Sequence, residues 1–137
     1  MKENKCLFCK IISGEISSAT LYEDDLFRVI LDVSPATVGH ALILPKRHFE
    51  NIYDMPEEEG SKLLLLAQEI SKKLKDVLPC DGLNIVQNNG GCAGQTVFHF
   101  HMHLIPRYEE DHVCLEWTPG SLSEDRKEEI LHLFSKE

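Results

Sequence analysis

The 137-residue chain has no run of roughly 18 consecutive apolar residues, so no segment is long enough to cross a bilayer as a helix. Its polar start, Met1-Lys2-Glu3-Asn4-Lys5, is not followed by a secretory hydrophobic region, and the expected location is the cytoplasm. Basic residues are scarce. The 14 Lys and Arg face 23 Asp and Glu, a formal charge of -9 that works against loose binding to nucleic acid or to an anionic membrane. A bound anion must therefore be held by local geometry. Five cysteines, an odd number, suit a reducing compartment better than a disulfide framework. No internal repeat, linker or low-complexity segment interrupts the chain, and 42% hydrophobic residues predict one domain over residues 1–137 with a modest core.

What is present reads as an α+β pattern. Residues 7–13 form a short amphipathic helix with Phe8, Ile11 and Ile12 on one face and Gly14 stopping it. Residues 21–23 and 26–31 read as two strands of a hairpin, and residues 40–44 as a third strand closed by Pro45. Pro56-Glu57-Glu58-Glu59 opens a long helix to about Val77, where proline and acidic side chains suit the free N–H groups of a first turn. Leu63, Leu64, Ala67, Ile70, Leu74, Val77 and Leu78 supply its apolar stripe. Strands follow at residues 83–87 and 99–105, then a helix capped by Ser123 that carries Ile130, Leu131 and Phe134. The apolar tail Val113-Cys114-Leu115-Glu116-Trp117 fits either an interface or packing within the chain.

The most informative stretch is His99-Phe100-His101-Met102-His103. Strict alternation predicts a half-buried strand, with Phe100, Met102 and Leu104 facing a core and three imidazoles on the other face. At roughly 6.6 Å between neighbours on one face, two rings reach one small group. An isolated histidine is usually structural, and His-x-His pairs commonly bind metal. Here the triplet follows the Gly-rich run Asn88 to Thr96, whose successive N–H groups can form an anion nest, with Gln95 and Thr96 as side-chain donors. Together they point to an imidazole aimed at a phosphate.

These residues resemble the histidine triad (HIT) family. The triplet with Leu104 and Ile105 fits its signature, and Gly94-Gln95-Thr96-Val97 looks like its phosphate-binding lead-in. Residues 8–16 are similar to the opening of the Hint branch, and residues 31–35 with 39–48 resemble its central hairpin. The resemblance implies an antiparallel sheet of about five strands under one long helix, and pairing of two chains as a homodimer. It also implies a purine nucleotide substrate attacked by His101, giving a nucleotidyl-histidine that water cleaves. A nearby main-chain carbonyl holding the His101 Nδ1 proton would leave Nε2 facing phosphorus. His103 stabilises charge on the phosphoryl group or leaving group, His40 orients the neighbouring rings, and His99 completes the triad. Asp32 takes the ribose hydroxyls, Phe8, Ile11 and Val33 line the base slot, and Asn88, Gly94, Gln95 and Thr96 contact the phosphate. Core packing is an equal reading for Ile11 and Val33.

Cys6 and Cys9 form a CxxC, shared by redox motifs and half zinc sites. Zinc-containing bacterial HIT proteins complete that site with histidines matching His48 and His99, a closed tetrahedral set whose zinc is structural. The alternative is a redox-sensitive dithiol. Cys80, Cys92 and Cys114 read as packing or loop residues, and His112 and His132 as surface residues. The leading functional expectation is hydrolysis of purine nucleoside 5′-phosphoramidates. The alternatives are dinucleoside polyphosphate hydrolysis, with Arg107 meeting an extra phosphate, and a nucleotide-binding or scaffold role with incidental turnover.

Overall fold

Apolar periodicity and turn chemistry build the elements in chain order. In the computed structural model, which describes residues 5–136, helix α1 covers Leu7–Ile12, and strands β1, β2 and β3 cover Thr20–Glu23, Phe27–Leu31 and Ala41–Pro45. Helix α2 runs Glu57–Val77, followed by β4 at Gly82–Val86, β5 at Met102–Arg107 and helix α3 at Glu124–Ser135. The strands form one antiparallel sheet in the order β1-β2-β3-β5-β4. This is the expected α+β architecture. Its first hairpin turns at Asp24, whose Oδ1 accepts the N–H groups of Leu26 and Phe27, both at 2.8 Å.

Helices cover both faces of the sheet centre. Val29, Ala41, Ile43 and Leu104 pack against Leu63, Leu66, Ala67, Ile70 and Leu74 of α2, while Ile30, Leu42 and Leu44 pack against Phe8 and Ile11 of α1. Hence β3 is buried at every position, and its continuous apolar run replaces the alternation of a one-sided strand. Each large aliphatic side chain so buried contributes about 1.5–3 kcal/mol. The α2 stripe differs from the expected one: Leu66 lies inside, whereas Leu64 and Val77 are exposed. A helix turning about 100° per residue aligns Leu66 with Leu63, Ile70 and Leu74, and carries Leu64 off that face.

Two ends depart from the expected pattern. Pro56 is the N-cap of α2 rather than a residue of its first turn, and α3, capped by Ser123 as expected, leaves Ile130, Leu131 and Phe134 exposed. Trp117 is also open to solvent, so packing within the chain does not account for the apolar tail. His112 and His132 lie on the surface. No helix among the described residues is long and apolar enough to cross a membrane.

The segment between β3 and α2 is fastened by a charge pair. Glu59, fully buried, receives Arg47 Nε at 2.8 Å and Nη2 at 2.6 Å. This two-point contact holds the carboxylate below its ordinary range and ties the residue preceding His48 to the first turn of α2.

Candidate active site

His99 to His101 do not extend the strand, contrary to the expected 99–105 span, because β5 begins only at Met102. The cause is local. The His99 carbonyl accepts the Nδ1–H of His101 at 2.8 Å, and the Phe100 N–H donates to the Phe49 carbonyl beyond β3 at 2.8 Å, so these groups bond outside the β3–β5 ladder. The alternation nevertheless survives in burial: Phe100 and Leu104 enter the α2 core, and Met102 packs against it. His101 and His99 turn the other way, towards Phe8, whose ring lies 4.9 Å and 5.9 Å from theirs.

Hydrogen-bond partners assign a tautomer to each ring of the site. Because a carbonyl accepts from His101 Nδ1, the neutral ring keeps its lone pair on Nε2. Because the Ala36 N–H donates to His40 Nδ1 at 2.9 Å, the His40 proton sits on Nε2 and is given to His103 Nδ1, also at 2.9 Å. His103 then carries its own proton on Nε2. The His101 and His103 rings are 5.1 Å apart, which places a bare nitrogen and an N–H donor side by side. That pair suits attack on a phosphoryl centre with support for its oxygens.

Burial favours the uncharged rings. It lowers the pKa of His99 and His103 from 6.5 to about 4, and shifts His40 and His101 in the same direction, with Asp32 partly opposing the shift at His40. Asp32 stands just beyond β2, its Oδ2 3.6 Å from His40 Nε2 and its Oδ1 accepting the Ser34 N–H at 2.9 Å. Asp32, His40 and His103 also meet the spacing of a metal group. The Ala36 N–H opposes that use, because a metal on His40 Nε2 would need a proton on Nδ1 facing another N–H.

A second cluster shares His99. Its Nε2–H donates to the Pro45 carbonyl at 2.9 Å, so the bare Nδ1 points at Cys6 Sγ, Cys9 Sγ and His48 Nδ1, at 3.5, 3.6 and 3.1 Å. Cys9 Sγ also lies 3.4 Å from His48 Nδ1. Four soft donor atoms converge, which is the arrangement of a metal centre. Cys9 and His99 close its inner side, whereas Cys6 and His48 border a surface depression with Glu50 and Thr96.

The glycine-rich loop behaves differently from an open nest. The N–H groups of Gly90, Ala93, Gly94 and Gln95 are bonded within the loop, and Gly94 adopts φ 98°, close against Asn88. Gln95 is not a phosphate donor here: buried, it gives its amide hydrogens to the carbonyls of Glu50 and Val97 and accepts from Gly90. It braces the loop, since a buried amide must be satisfied wherever it lies. Thr96 is exposed, and Asn88 reaches the Gly94 carbonyl at 3.4 Å. Phe8 and Ile11 are core residues, whereas Val33 is 94% exposed beside Asp32. Arg107 has little left for a phosphate, because Asp111, Asn84 and the Val113 carbonyl take four of its five N–H groups.

Sequence reasoning missed the Ala36 amide, Thr37, whose hydroxyl donates to the Pro106 carbonyl at 2.6 Å, and Tyr108, whose hydroxyl donates to the Val38 carbonyl at 2.7 Å. Main-chain partners carry no residue signature.

Residues 13–110 match the HIT domain family. The chain belongs to that family, on its Hint-like branch. It is 47% identical over 103 residues to the protein hit of Bacillus subtilis, spanning 75% of this chain and 71% of that one. It is 42% identical over 120 residues to adenylylsulfatase HINT3 of Arabidopsis thaliana, covering 88% of this HIT chain and 59% of the plant protein. The crystal structure of a zinc-bound histidine triad family protein from Mycobacterium smegmatis superposes with a TM-score of 0.76 at 38% identity, covering 90% and 86% of the two chains.

The neutral His103 ring makes a direct prediction. Unfolded chains bind its proton near 6.5 and the folded chain near 4, so stability falls as pH drops through that window and the loss is complete below it. An NMR titration is expected to place His103 near 4. A midpoint at or above 6.5 would show that burial does not keep this ring neutral.

Proposed function

We propose that the protein is a nucleotide hydrolase that cleaves purine nucleoside 5′-phosphoramidates through a nucleotidyl-His101 intermediate. One observation carries this reading: the His99 carbonyl holds the Nδ1 proton of His101, so the ring offers a bare Nε2 as nucleophile. Attack of Nε2 on the α-phosphorus of the substrate, whose amine nitrogen has taken a proton from water, forms a P–N bond to His101 as the bond to that nitrogen breaks and the neutral amine departs. Water then attacks the same phosphorus, releasing the nucleoside monophosphate and restoring His101. His103 gives its Nε2–H to a phosphoryl oxygen, and His40 holds that ring through Nδ1.

Asp32 accepts the ribose hydroxyls with Val33 beside it as an exposed apolar ledge, Phe8 backs the His101 ring, and Ile11 supports Phe8 from the core. Asn88, Gly94 and Thr96 are assigned to the phosphate side. The plant adenylylsulfatase supports an adenylyl centre as the reacting group. Because four of the five Arg107 N–H groups are already bonded and Asp111 pairs with its charge, the dinucleoside polyphosphate alternative loses most of the cation assigned to it. With adenosine 5′-phosphoramidate, AMP release is expected to be fast and to fall about 1,000-fold or more in His101→Ala. Equal turnover by that variant would refute the covalent route, and preference for diadenosine tetraphosphate would move the protein to the polyphosphate reading.

The same reading assigns zinc to Cys6, Cys9, His48 and His99. Zinc bonds of about 2.3 Å to sulfur and 2.0–2.1 Å to nitrogen give tetrahedral edges of about 3.3–3.6 Å between donors. The His48–His99 N···N distance is 3.1 Å, the Cys6–His99, Cys9–His48 and Cys9–His99 N···S distances are 3.5, 3.4 and 3.6 Å, and all the donor atoms lie within 4.8 Å of one another. The zinc-bound mycobacterial relative supports it. With four protein ligands, zinc supplies rigidity rather than an activated water. Metal analysis is expected to find about one zinc per chain, lost in Cys9→Ser together with thermal stability. Metal-free wild type with unchanged stability would count against the assignment and favour the dithiol.

A homodimer completes the proposal. β4 is a sheet edge with unpaired main-chain groups, and Ile85 on it lies near the exposed Leu64 and Leu65 of α2 around a groove of about 740 Å³. Two copies joined edge to edge would cover both features and the unpartnered buried hydroxyl of Ser71, which lines the groove. Light scattering is expected to give twice the chain mass for wild type and the single mass for a Leu65→Glu, Ile85→Lys double variant. A monomeric wild type at micromolar concentration would exclude the dimer.

A further inference from the structure

The proton on His103 is set through a main-chain group outside the triad, the Ala36 amide. The Ala36 N–H fills His40 Nδ1 from outside the ring pair at 2.9 Å and is the direct hydrogen bond that keeps hydrogen off that nitrogen, while the Asp32 carboxylate, 3.6 Å from Nε2, favours the same tautomer from the other side. If the amide moved away, His40 could carry its proton on Nδ1. His103 would then have to donate from its own Nδ1 to His40 Nε2, leaving a bare Nε2 where the phosphoryl oxygens need a donor. The position of one amide therefore separates a donor from a lone pair at the reacting centre.

That amide lies in the exposed turn between β2 and β3, which is fastened to β5 at two points. Thr37, buried, donates to the Pro106 carbonyl at 2.6 Å, and Tyr108 just past the strand donates to the Val38 carbonyl at 2.7 Å. Gly39 closes the turn at φ 92°, seated so tightly that a Cβ would run into Leu78. The His40 N–H returns to the Thr37 carbonyl at 3.2 Å. Since β5 also carries His103, opposite Leu42 of β3, both anchors reference the turn to the strand that holds the ring it controls.

We propose that Thr37 and Tyr108 are positioning residues for His103: by anchoring the 34–39 turn to β5 they aim the Ala36 amide at His40 and keep the His103 proton on Nε2. Neither residue contacts the reacting atoms in this account. Their kinetic effect rests on the hydrolase reading, whereas their effect on the rings does not.

The test therefore reads the rings directly. Long-range ¹H–¹⁵N NMR of the labelled, metal-loaded full chain at neutral pH is expected to show protons on Nε2 of His40 and His103 and on Nδ1 of His101. Thr37→Val keeps the shape but loses the donor, and is expected to give His103 a mixed tautomer signature. With adenosine 5′-phosphoramidate, kcat should fall about tenfold while KM stays within about twofold, and Thr37→Ser should restore both readouts. Tyr108→Phe, at a more open position, is expected to move both in the same direction less far and provides the test if Thr37→Val does not fold. A wild-type His103 protonated on Nδ1, or folded Thr37→Val and Tyr108→Phe chains with unchanged ring signatures, would overturn the proposal. Absence of turnover in wild type would strike at the hydrolase reading alone, since the spectra decide the tautomers without substrate.

Discussion

The metal-type cluster and the His101 ring both depend on His99, which is used three times. Its Nε2–H is fixed by the carbonyl of Pro45, its Nδ1 faces two thiols and a second imidazole, and its own carbonyl holds the next triad ring. Pro45 suits its part because it ends β3, paired with Phe27, with no N–H to place. The metal-type cluster, the central strand and the proposed nucleophile are thus joined through one buried residue. A change in any of the three is felt by the others through its ring or its carbonyl.

The imidazoles proposed to react are held uncharged. The chain carries -9 overall, and the ring cluster that faces the proposed phosphate consists of His40, His101 and His103, with Asp32 near enough to draw the pKa of His40 upwards. Burial wins over that attraction and keeps the imidazoles neutral. A neutral ring has one donor and one acceptor, so orientation matters more than charge. This is why a main-chain carbonyl and a main-chain amide, at His99 and Ala36, carry so much of the chemistry. A lysine would attract a phosphate more strongly but would supply no nucleophilic lone pair while charged.

Much of this was legible along the chain. Alternation in residues 99–105 announced the triad and sorted Phe100 and Leu104 from the histidines, whereas the CxxC by itself was ambiguous and only the family resemblance joined His48 and His99 to it. Helix and strand positions followed from periodicity, with small shifts at their ends. Other roles read differently in three dimensions. Gln95 looks like a free donor in a glycine-rich run, yet it is buried and spent on Glu50 and Val97, residues whose proximity depends on the fold. Arg107 looks like a spare cation, yet a loop four residues on closes around it through Asp111. Val33 and Ile11 share an apolar character, but one is open and the other lies in the core.

The sequence by itself determined which chemical groups are available and on which side of each element they lie, because side-chain period and residue type are local properties. It therefore carried the α+β class and the family, and it marked His99, His101 and His103 as the candidate triad. Only the tertiary structure decided which nitrogen of each ring carries the proton, which donors are already spent, and that His99 belongs to two clusters. Those outcomes rest on main-chain groups at Pro45, Ala36 and His99 itself, brought into place by strand register and by the turn clamped to β5. A backbone amide or carbonyl is the same at every such position in a sequence, and acquires a role only through where the fold aims it.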